Sequence, residues 1–100
     1  MTKPYTIRQI QEIITPIAKA NGVRSVALFG SYAAGTANAD SDVDLRIEKG
    51  RVRSLFQLCG LRLALEDALQ MPVDLVTSEA SDRKFLDSIG KDEVLLYREA

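Results

Sequence analysis

Residues 30–45 read GSYAAGTANADSDVDL, and this stretch decides the fold. The apolar run at 23–29 enters it without a breaking residue, which predicts a largely buried strand that ends at Gly30. A strand that passes through glycine into a serine-started turn exposes backbone N–H groups and one hydroxyl, which suits phosphate oxygens. Gly30 would let a phosphate approach the backbone closely. Gly35 would let the chain leave a short helix through a left-handed conformation.

Two carboxylates follow this turn at alternate positions. Asp42 and Asp44 stand two residues apart at the start of a strand predicted over 43–48. Because side chains alternate along a strand, both acids project from one face, while Val43 and Leu45 point to the other face and pack on the core. Two carboxylates on one face form a platform for a divalent metal ion.

A third acid comes from a later segment. Met71-Pro72 favours an extended conformation, so 72–76 is predicted as a short apolar strand that turns Asp74 away from its neighbours. If this strand pairs beside the Asp-x-Asp strand, the three acids converge. Three like charges need a compensating cation, and Mg²⁺ fits because it takes oxygen ligands and leaves room for substrate phosphates. In a two-metal mechanism one ion polarises the attacking oxygen and the other holds the triphosphate, with Asp74 as the candidate base.

An amphipathic helix is predicted before this centre. Thr6 and Gln9 have the spacing of a capping box, and isoleucines recur at roughly helical intervals until Asn21-Gly22 supplies a stop. Pro16 lacks a backbone donor, so the helix is expected either to kink there or to restart with Thr15 as its cap.

The longest helix is predicted after the second strand. Ser54 and Gln57 repeat the capping-box spacing, and a stripe of leucines continues to Gln70. Five leucines form this stripe: Leu55, Leu58, Leu61, Leu65 and Leu69. Cys59 on the same helix is expected to be a small core or half-buried residue and not a nucleophile.

The remaining segments complete a mixed α/β domain. Ser81 could cap one more helix that ends at Gly90, whereas 93–97 could be a strand or a helical turn. The order of helix, strand, turn, strand, helix, strand and helix predicts an α/β (α+β) fold, in which helices cover a sheet.

Composition narrows the class of protein. The 100 residues, 46% of them hydrophobic, suffice for one packed domain over 1–100 and leave no room for a separate substrate domain. The net charge of −1 and the pI near 5.4 give no overall attraction to nucleic acid, so direct nucleic-acid binding is not expected. The absence of histidine and the single cysteine exclude histidine-based catalysis, an internal disulfide and a cysteine-built zinc site. No segment has signal-peptide or membrane-spanning character, so a cytoplasmic protein is expected.

The combination of these motifs resembles a known family, the minimal nucleotidyltransferases of the polymerase β superfamily. Their signature is Gly-Ser, a spaced glycine and Asp-x-Asp, which here are Gly30-Ser31, Gly35 and Asp42-Val43-Asp44. The segments Arg53-Ser54-Leu55-Phe56 and Pro72-Val73-Asp74-Leu75-Val76 also look like family features, so the resemblance covers nearly the whole chain.

The resemblance implies the roles of the site residues, an activity and a partner. By position, Gly30 and Ser31 would bind the triphosphate of ATP, Asp42 and Asp44 would hold two Mg²⁺ ions, and Asp74 would complete the triad. Members of this family are commonly antitoxins paired with a helical toxin of the HEPN class. The implied reaction is the transfer of AMP from ATP to a tyrosine of that toxin, which silences its ribonuclease activity.

One position departs from the family pattern. Many members carry arginine immediately before the second glycine of the motif, whereas this chain has Ala34. Arg46 lies two residues beyond Asp44 on the same strand face, so it could reach the phosphates in place of that arginine or form an ion pair with neighbouring acids.

The departure at Ala34 keeps a second function open, a catalytically weak or inactive antitoxin that acts by binding the toxin alone. Transfer to a small molecule such as an aminoglycoside is a weaker alternative, because those enzymes need additional structure to hold the acceptor. Templated polymerisation is weaker still, because the chain has no basic stripe. Self-association and assembly with a partner both stay open.

Overall fold

The protein, described by a computed structural model over residues 5–38, 41–77 and 93–99, is a mixed α/β structure. Its elements are α1 Ile7–Ala20, β1 Ser25–Phe29, α2 Gly30–Ala34, β2 Val43–Glu48, α3 Leu55–Leu69, β3 Val73–Thr77 and β4 Val94–Arg98. The predicted fold class is confirmed. The helix predicted over 81–90 lies outside the described residues.

The strands form one sheet in the order β3-β2-β1-β4. β1 is antiparallel to β2 and to β4, whereas β2 and β3 are parallel. A parallel pair requires a crossover, and α3 supplies it between β2 and β3. The choice left open for 93–97 is settled, because the final described segment is a strand that pairs Arg98 with Ser25 of β1.

Both long helices contribute to a core on one side of the sheet. On β2 the predicted alternation is present, with Val43, Leu45 and Ile47 fully buried and the intervening positions half-buried. Ile10, Ile14 and Ala18 of α1 and Leu61, Leu65 and Leu69 of α3 belong to the same buried cluster. The face of β2 that carries Asp44 therefore points away from this core.

α1 begins as predicted and ends as predicted. The capping box is present: the Thr6 hydroxyl accepts from the Gln9 N–H at 3.1 Å, and the Gln9 side chain accepts from the Thr6 N–H at 2.8 Å. Asn21 is the C-cap, and Gly22 follows with a φ of +70°. β1 starts later than residue 23, because the Val23 N–H donates to the Ala18 carbonyl at the end of the helix.

Of the two alternatives for Pro16, a kink or a restart, the restart is wrong, because α1 continues through this residue. Pro16 is exposed, while Ile14 before it and Ala18 after it are buried in the same cluster. Burial of one apolar face on both sides of the proline therefore outweighs the loss of one backbone hydrogen bond. Thr15 is not a cap; its hydroxyl donates to the Gln11 carbonyl at 2.6 Å inside the helix.

We expect Pro16→Ala to raise the free energy of unfolding by about 1 to 2 kcal/mol, because it restores a helical donor and removes a poor helix former. Urea unfolding followed by circular dichroism measures this. Ala20→Gly, in the last turn of α1, is the matched control and is expected to lower the same free energy. An unchanged or lower stability for Pro16→Ala would mean that the helix has a different conformation at this point.

α3 begins with the predicted capping box, in which the Ser54 hydroxyl accepts from the Gln57 N–H at 3.1 Å. The expectation that Cys59 is a core or half-buried residue is wrong, because this residue is exposed. Leu55, the first leucine of the stripe, is 75% exposed and does not join the buried core. Only the later part of α3, from Leu61 onward, packs fully against the sheet. Over the residues that the structure describes, no helix is both long and apolar enough to cross a bilayer.

Candidate active site

The strand pairing brings two of the three predicted acids side by side. Asp44 of β2 and Asp74 of β3 are direct partners in the parallel register, so they stand on the same sheet face on strands about 4.8 Å apart. Asp42 lies immediately before β2 and is exposed, as is Asp74, whereas Asp44 is half-buried. On the other side of β2, Asp44 is opposite Phe29, the last residue of β1. The acids therefore lie beside the turn that begins at Gly30.

Gly30 is in contact with this acidic group. Its φ is +74°, and a Cβ added to it would lie 2.1 Å from the Oδ2 atom of Asp44. Any side chain at this position would therefore be strained and would displace the carboxylate. The sequence predicted that Gly30 leaves room for a phosphate, whereas the geometry also requires glycine to leave room for Asp44.

In the part of the chain that the structure describes, no ion pair joins Asp42, Asp44 or Asp74 to a base. Burial raises the pKa of Asp44, and the charges of Asp74 and then Asp42 raise it further. This donor set, made of hard oxygens with excess negative charge, fits a divalent cation such as Mg²⁺. Among residues 5–38, 41–77 and 93–99, however, no three acidic or cysteine side chains stand close enough to hold one ion as they are. We attribute this to repulsion, which turns like charges apart when nothing lies between them.

Arg46 is engaged by an acid that the sequence did not point to. Its Nε donates to Glu93 Oε2 at 2.6 Å, and its second guanidinium nitrogen donates to Glu93 Oε1, so the pair is bidentate. The hydrogen bond with Glu93 raises the pKa of Arg46. The structure thus contains the ion pair that was one alternative for Arg46, while phosphate binding by this residue stays a prediction. No local pattern could have identified Glu93, which is 47 residues away in the sequence.

The side chains of this pair are only 27% and 18% exposed, so we expect Glu93→Gln to lower the free energy of unfolding by about 1 to 2 kcal/mol. Removing one partner leaves the other charge unpaired in a partly dehydrated place. Urea unfolding of Glu93→Gln, Arg46→Gln and the double variant measures the coupling. The double variant should lose less free energy of unfolding than the sum of the losses of the two single variants. Strictly additive losses would contradict the interaction.

The glycine-serine turn has the expected local geometry. α2 ends at Gly35, whose φ is +78°, and the Gly35 N–H donates to the Ser31 carbonyl, which confirms the predicted left-handed exit. No side chain caps the start of α2. The Ser31 hydroxyl takes part in no hydrogen bond with the rest of the described chain, and Ser31 is half-buried. Uncapped N–H groups and one hydroxyl therefore lie next to the acids.

Two neighbouring residues have structural roles. Tyr32 is 3% exposed, its hydroxyl lies 3.5 Å from the sulfur of Met71, and burial raises its pKa. The Ser41 hydroxyl accepts from the Asn38 N–H at 2.9 Å, which ties together the two sides of the loop before Asp42. Tyr32 therefore packs in the core beside the turn.

A groove of about 480 Å³ lies away from the acids, at the end of β1 and β2 that is far from Asp44. It is lined by Gly22, Arg24, Gly50, Arg51 and Glu99. The acids instead lie at the opposite end of these strands, where Asp44 of β2 pairs with Phe29 of β1 and with Asp74 of β3. Asp42 and Asp74 are exposed there.

A strand, a glycine-serine turn and an antiparallel strand with Asp-x-Asp, with a third acid on the adjoining parallel strand, define a nucleotidyltransferase. Residues 11–100 match the family model described as polymerase beta, nucleotidyltransferase. The chain belongs to this family of enzymes, and the resemblance inferred from its motifs is confirmed.

Several relatives have been named for their activity. A Methanocaldococcus jannaschii protein, provisionally named a protein adenylyltransferase, is 38% identical over 88 residues, which cover 88% of this chain and 95% of that protein. The protein adenylyltransferase MntA of Thermococcus cleftensis is 37% identical over 75 residues, covering 71% of this chain and 76% of that protein.

Solved structures share the fold. A chain of a toxin–antitoxin complex with AMP-PNP matches with a TM-score of 0.77 at 23% identity. The match covers 89% of this chain and 73% of that chain. A chain of the complex between the tri-AMPylated Shewanella oneidensis HEPN toxin and its MNT antitoxin has a TM-score of 0.72 at 19% identity, with coverages of 94% and 74%. At these identities the likeness establishes the fold alone.

Proposed function

We propose that this nucleotidyltransferase transfers AMP from ATP to a tyrosine hydroxyl of a HEPN-type toxin and so acts as its antitoxin. The observation that carries the proposal is the pairing of Asp44 with Asp74 beside an uncapped glycine-serine turn. The glycine-serine turn offers hydrogen-bond donors for phosphate oxygens. The acids beside it offer carboxylates that can bind metal ions and accept a proton.

Each group has a role in a balanced reaction. The N–H groups at the start of α2 and the Ser31 hydroxyl bind the triphosphate and orient its α-phosphorus. The tyrosine oxygen forms a bond to that phosphorus, the bond from it to the bridging oxygen breaks, and pyrophosphate leaves. The phenolic proton passes to Asp74, which is exposed at the edge where an acceptor would approach.

Asp42, Asp44 and Asp74 would hold the Mg²⁺ ions. When bound, Mg²⁺ supplies the positive charge that offsets the acids and the charge that develops on the phosphates. Gly30 contributes by leaving the Asp44 carboxylate its place against the turn.

The nature of the acceptor is supported by the exposure of the acids and by the relatives. Asp42 and Asp74 are exposed, so a second macromolecule can bring an acceptor hydroxyl to them. Two relatives are named protein adenylyltransferases, and one neighbouring structure contains a HEPN toxin that carries AMP. A HEPN toxin is therefore our proposed partner.

One observation favours a second candidate, an antitoxin that acts by binding alone. Ala34 stands where many members have arginine, and the guanidinium of Arg46 is held by Glu93. Of these two candidate positions for a cation beside the phosphates, neither offers an unengaged guanidinium. In this candidate function, the acids would be unnecessary for neutralisation.

Labelled ATP distinguishes these functions. The chain is incubated with Mg²⁺ and a HEPN-type toxin, using ATP labelled at the α-phosphate or at the γ-phosphate. We expect label on the toxin only from the α-position, and none in the presence of EDTA or with Asp44→Ala. Equal neutralisation by wild type and Asp44→Ala, with no label transferred, would support binding alone.

A further inference from the structure

α3 carries an apolar surface that the rest of the described chain does not cover. Leu55 is 75% exposed, Phe56 is 91% exposed and Leu63 is 58% exposed, and Cys59 is exposed between them. Leu55, Phe56 and Cys59 line an apolar hollow of about 200 Å³. A contiguous apolar patch of this kind on a small protein marks a contact surface.

The exposed residues share one line along the helix. Phe56, Gly60, Leu63 and Asp67 follow each other at spacings of four, three and four residues, which places them on a single helical face. Leu61, Leu65 and Leu69, which pack on the sheet, lie on the opposite face. We call the first set, together with Leu55 and Cys59, the outer stripe of α3.

No contact among the described residues requires a glycine at position 60. A glycine inside a helix costs about 1 kcal/mol relative to alanine. A Cβ added to Gly60 would meet nothing within 4 Å, so no neighbour in the structure requires its absence. In the middle of an exposed apolar stripe, a residue without a side chain instead allows a second helix to approach closely.

The charges along α3 indicate the direction of that second helix. Arg53 stands just before the helix and is exposed, while Asp67 in the last turn is exposed on the outer stripe. One end is therefore basic and the other acidic. An identical helix that runs antiparallel would bring Arg53 of each copy to the acidic end of the other, whereas a parallel arrangement would bring like charges together.

We propose that this chain forms a homodimer through the outer stripe, with the α3 helices of two copies antiparallel and crossing at Cys59-Gly60. With the crossing there, Phe56 of one copy meets Leu63 of the other, and Leu63 faces the apolar hollow beside Phe56. A two-fold axis makes each of these contacts occur twice, so the surface is complementary to itself.

This dimer does not cover Asp42, Asp44 or Asp74. α3 packs on the core side of the sheet, whereas Asp44 points away from the core, so neither copy covers the acids of the other. The inference thus does not depend on the proposed function.

Sedimentation equilibrium of the whole protein tests the assembly. Wild type is expected to have the mass of a dimer at micromolar concentration, and Phe56→Asp and Leu63→Asp are each expected to weaken dimerisation about a hundredfold or more. Leu95→Asp is the matched control, because Leu95 is 54% exposed but lies on β4. It should leave the dimer intact. A wild type that stays monomeric, or a dimer that survives both α3 variants with their helical circular dichroism unchanged, would overturn the proposal.

Cys59 provides a test of the arrangement. As the only cysteine, it should cross-link two copies through a short bifunctional maleimide, and Cys59→Ser and Phe56→Asp should each abolish the cross-linked band. If wild type yields no cross-linked dimer, the antiparallel arrangement is wrong. If the chain is monomeric alone and Phe56→Asp instead abolishes its complex with the HEPN protein, the stripe belongs to that partner and the homodimer is contradicted.

Discussion

Asp44→Asn is expected to lower AMP transfer by about a thousandfold or more, because it removes a charge from the centre of the acidic group. Asp44 lies between Phe29 and Asp74 in the sheet and touches the backbone at Gly30, so no other carboxylate can take its place. The rate of label transfer from α-labelled ATP to the HEPN protein measures this. Glu99→Gln, a change of an exposed acid away from the edge, should leave the rate unchanged.

The same substitution is expected to raise the free energy of unfolding at neutral pH in the absence of metal, by less than about 1 kcal/mol because solvent screens the charge of a half-buried group. Burial and two neighbouring acids raise the pKa of Asp44, which means that its ionised form is disfavoured in the folded state. Asparagine keeps the shape and removes this penalty. Urea unfolding without Mg²⁺ measures the gain. A loss of stability for Asp44→Asn would show that Asp44 instead holds the fold together, and its lost activity would then not identify a site.

Gly30→Ala is expected to lower AMP transfer by about a hundredfold or more and the free energy of unfolding by about 2 to 4 kcal/mol. The residue has a left-handed backbone, and its Cβ would lie 2.1 Å from the Asp44 carboxylate. The chain must therefore either move the turn or rotate Asp44 away from Asp74. Both changes disturb the geometry on which the proposed reaction depends.

Gly35→Ala is the matched control for this prediction. Gly35 has a similar φ of +78°, but a Cβ added there meets nothing within 4 Å. The Gly35→Ala variant should lose about 1 to 2 kcal/mol of its free energy of unfolding through backbone strain alone and keep most of its activity. Equal losses of activity for the two variants would mean that the left-handed conformation, and not the contact with Asp44, is what the turn requires.

Local patterns predicted the parts of the molecule that local physics determines. The alternation around Val43 and Leu45 predicted both the bounds and the buried face of β2, and the spacing of Ser54 and Gln57 predicted the start of α3. The position of Asp74 between apolar neighbours also sufficed to place it on the same face as Asp44, once the two strands paired.

The features that depend on distant contacts could not be predicted from the sequence. Arg46 is paired with Glu93, which lies just before β4, and nothing near either residue in the sequence indicates the other. Pro16 stays within α1 because the helix is buried on both sides of it, which overrides a local preference. On α3, leucine spacing alone could not tell which leucines of the stripe face the sheet, and Leu55 is 75% exposed.

The intact mass of the HEPN acceptor shows whether Asp42, Asp44 and Asp74 serve the transfer of AMP to a protein. After incubation with ATP, Mg²⁺ and wild type, the acceptor should gain mass in whole AMP units. With Asp44→Asn its mass should stay unchanged, although the two proteins still form a complex. If wild type neutralises the acceptor while the acceptor keeps the mass of the unmodified protein, the proposed transfer of AMP is wrong.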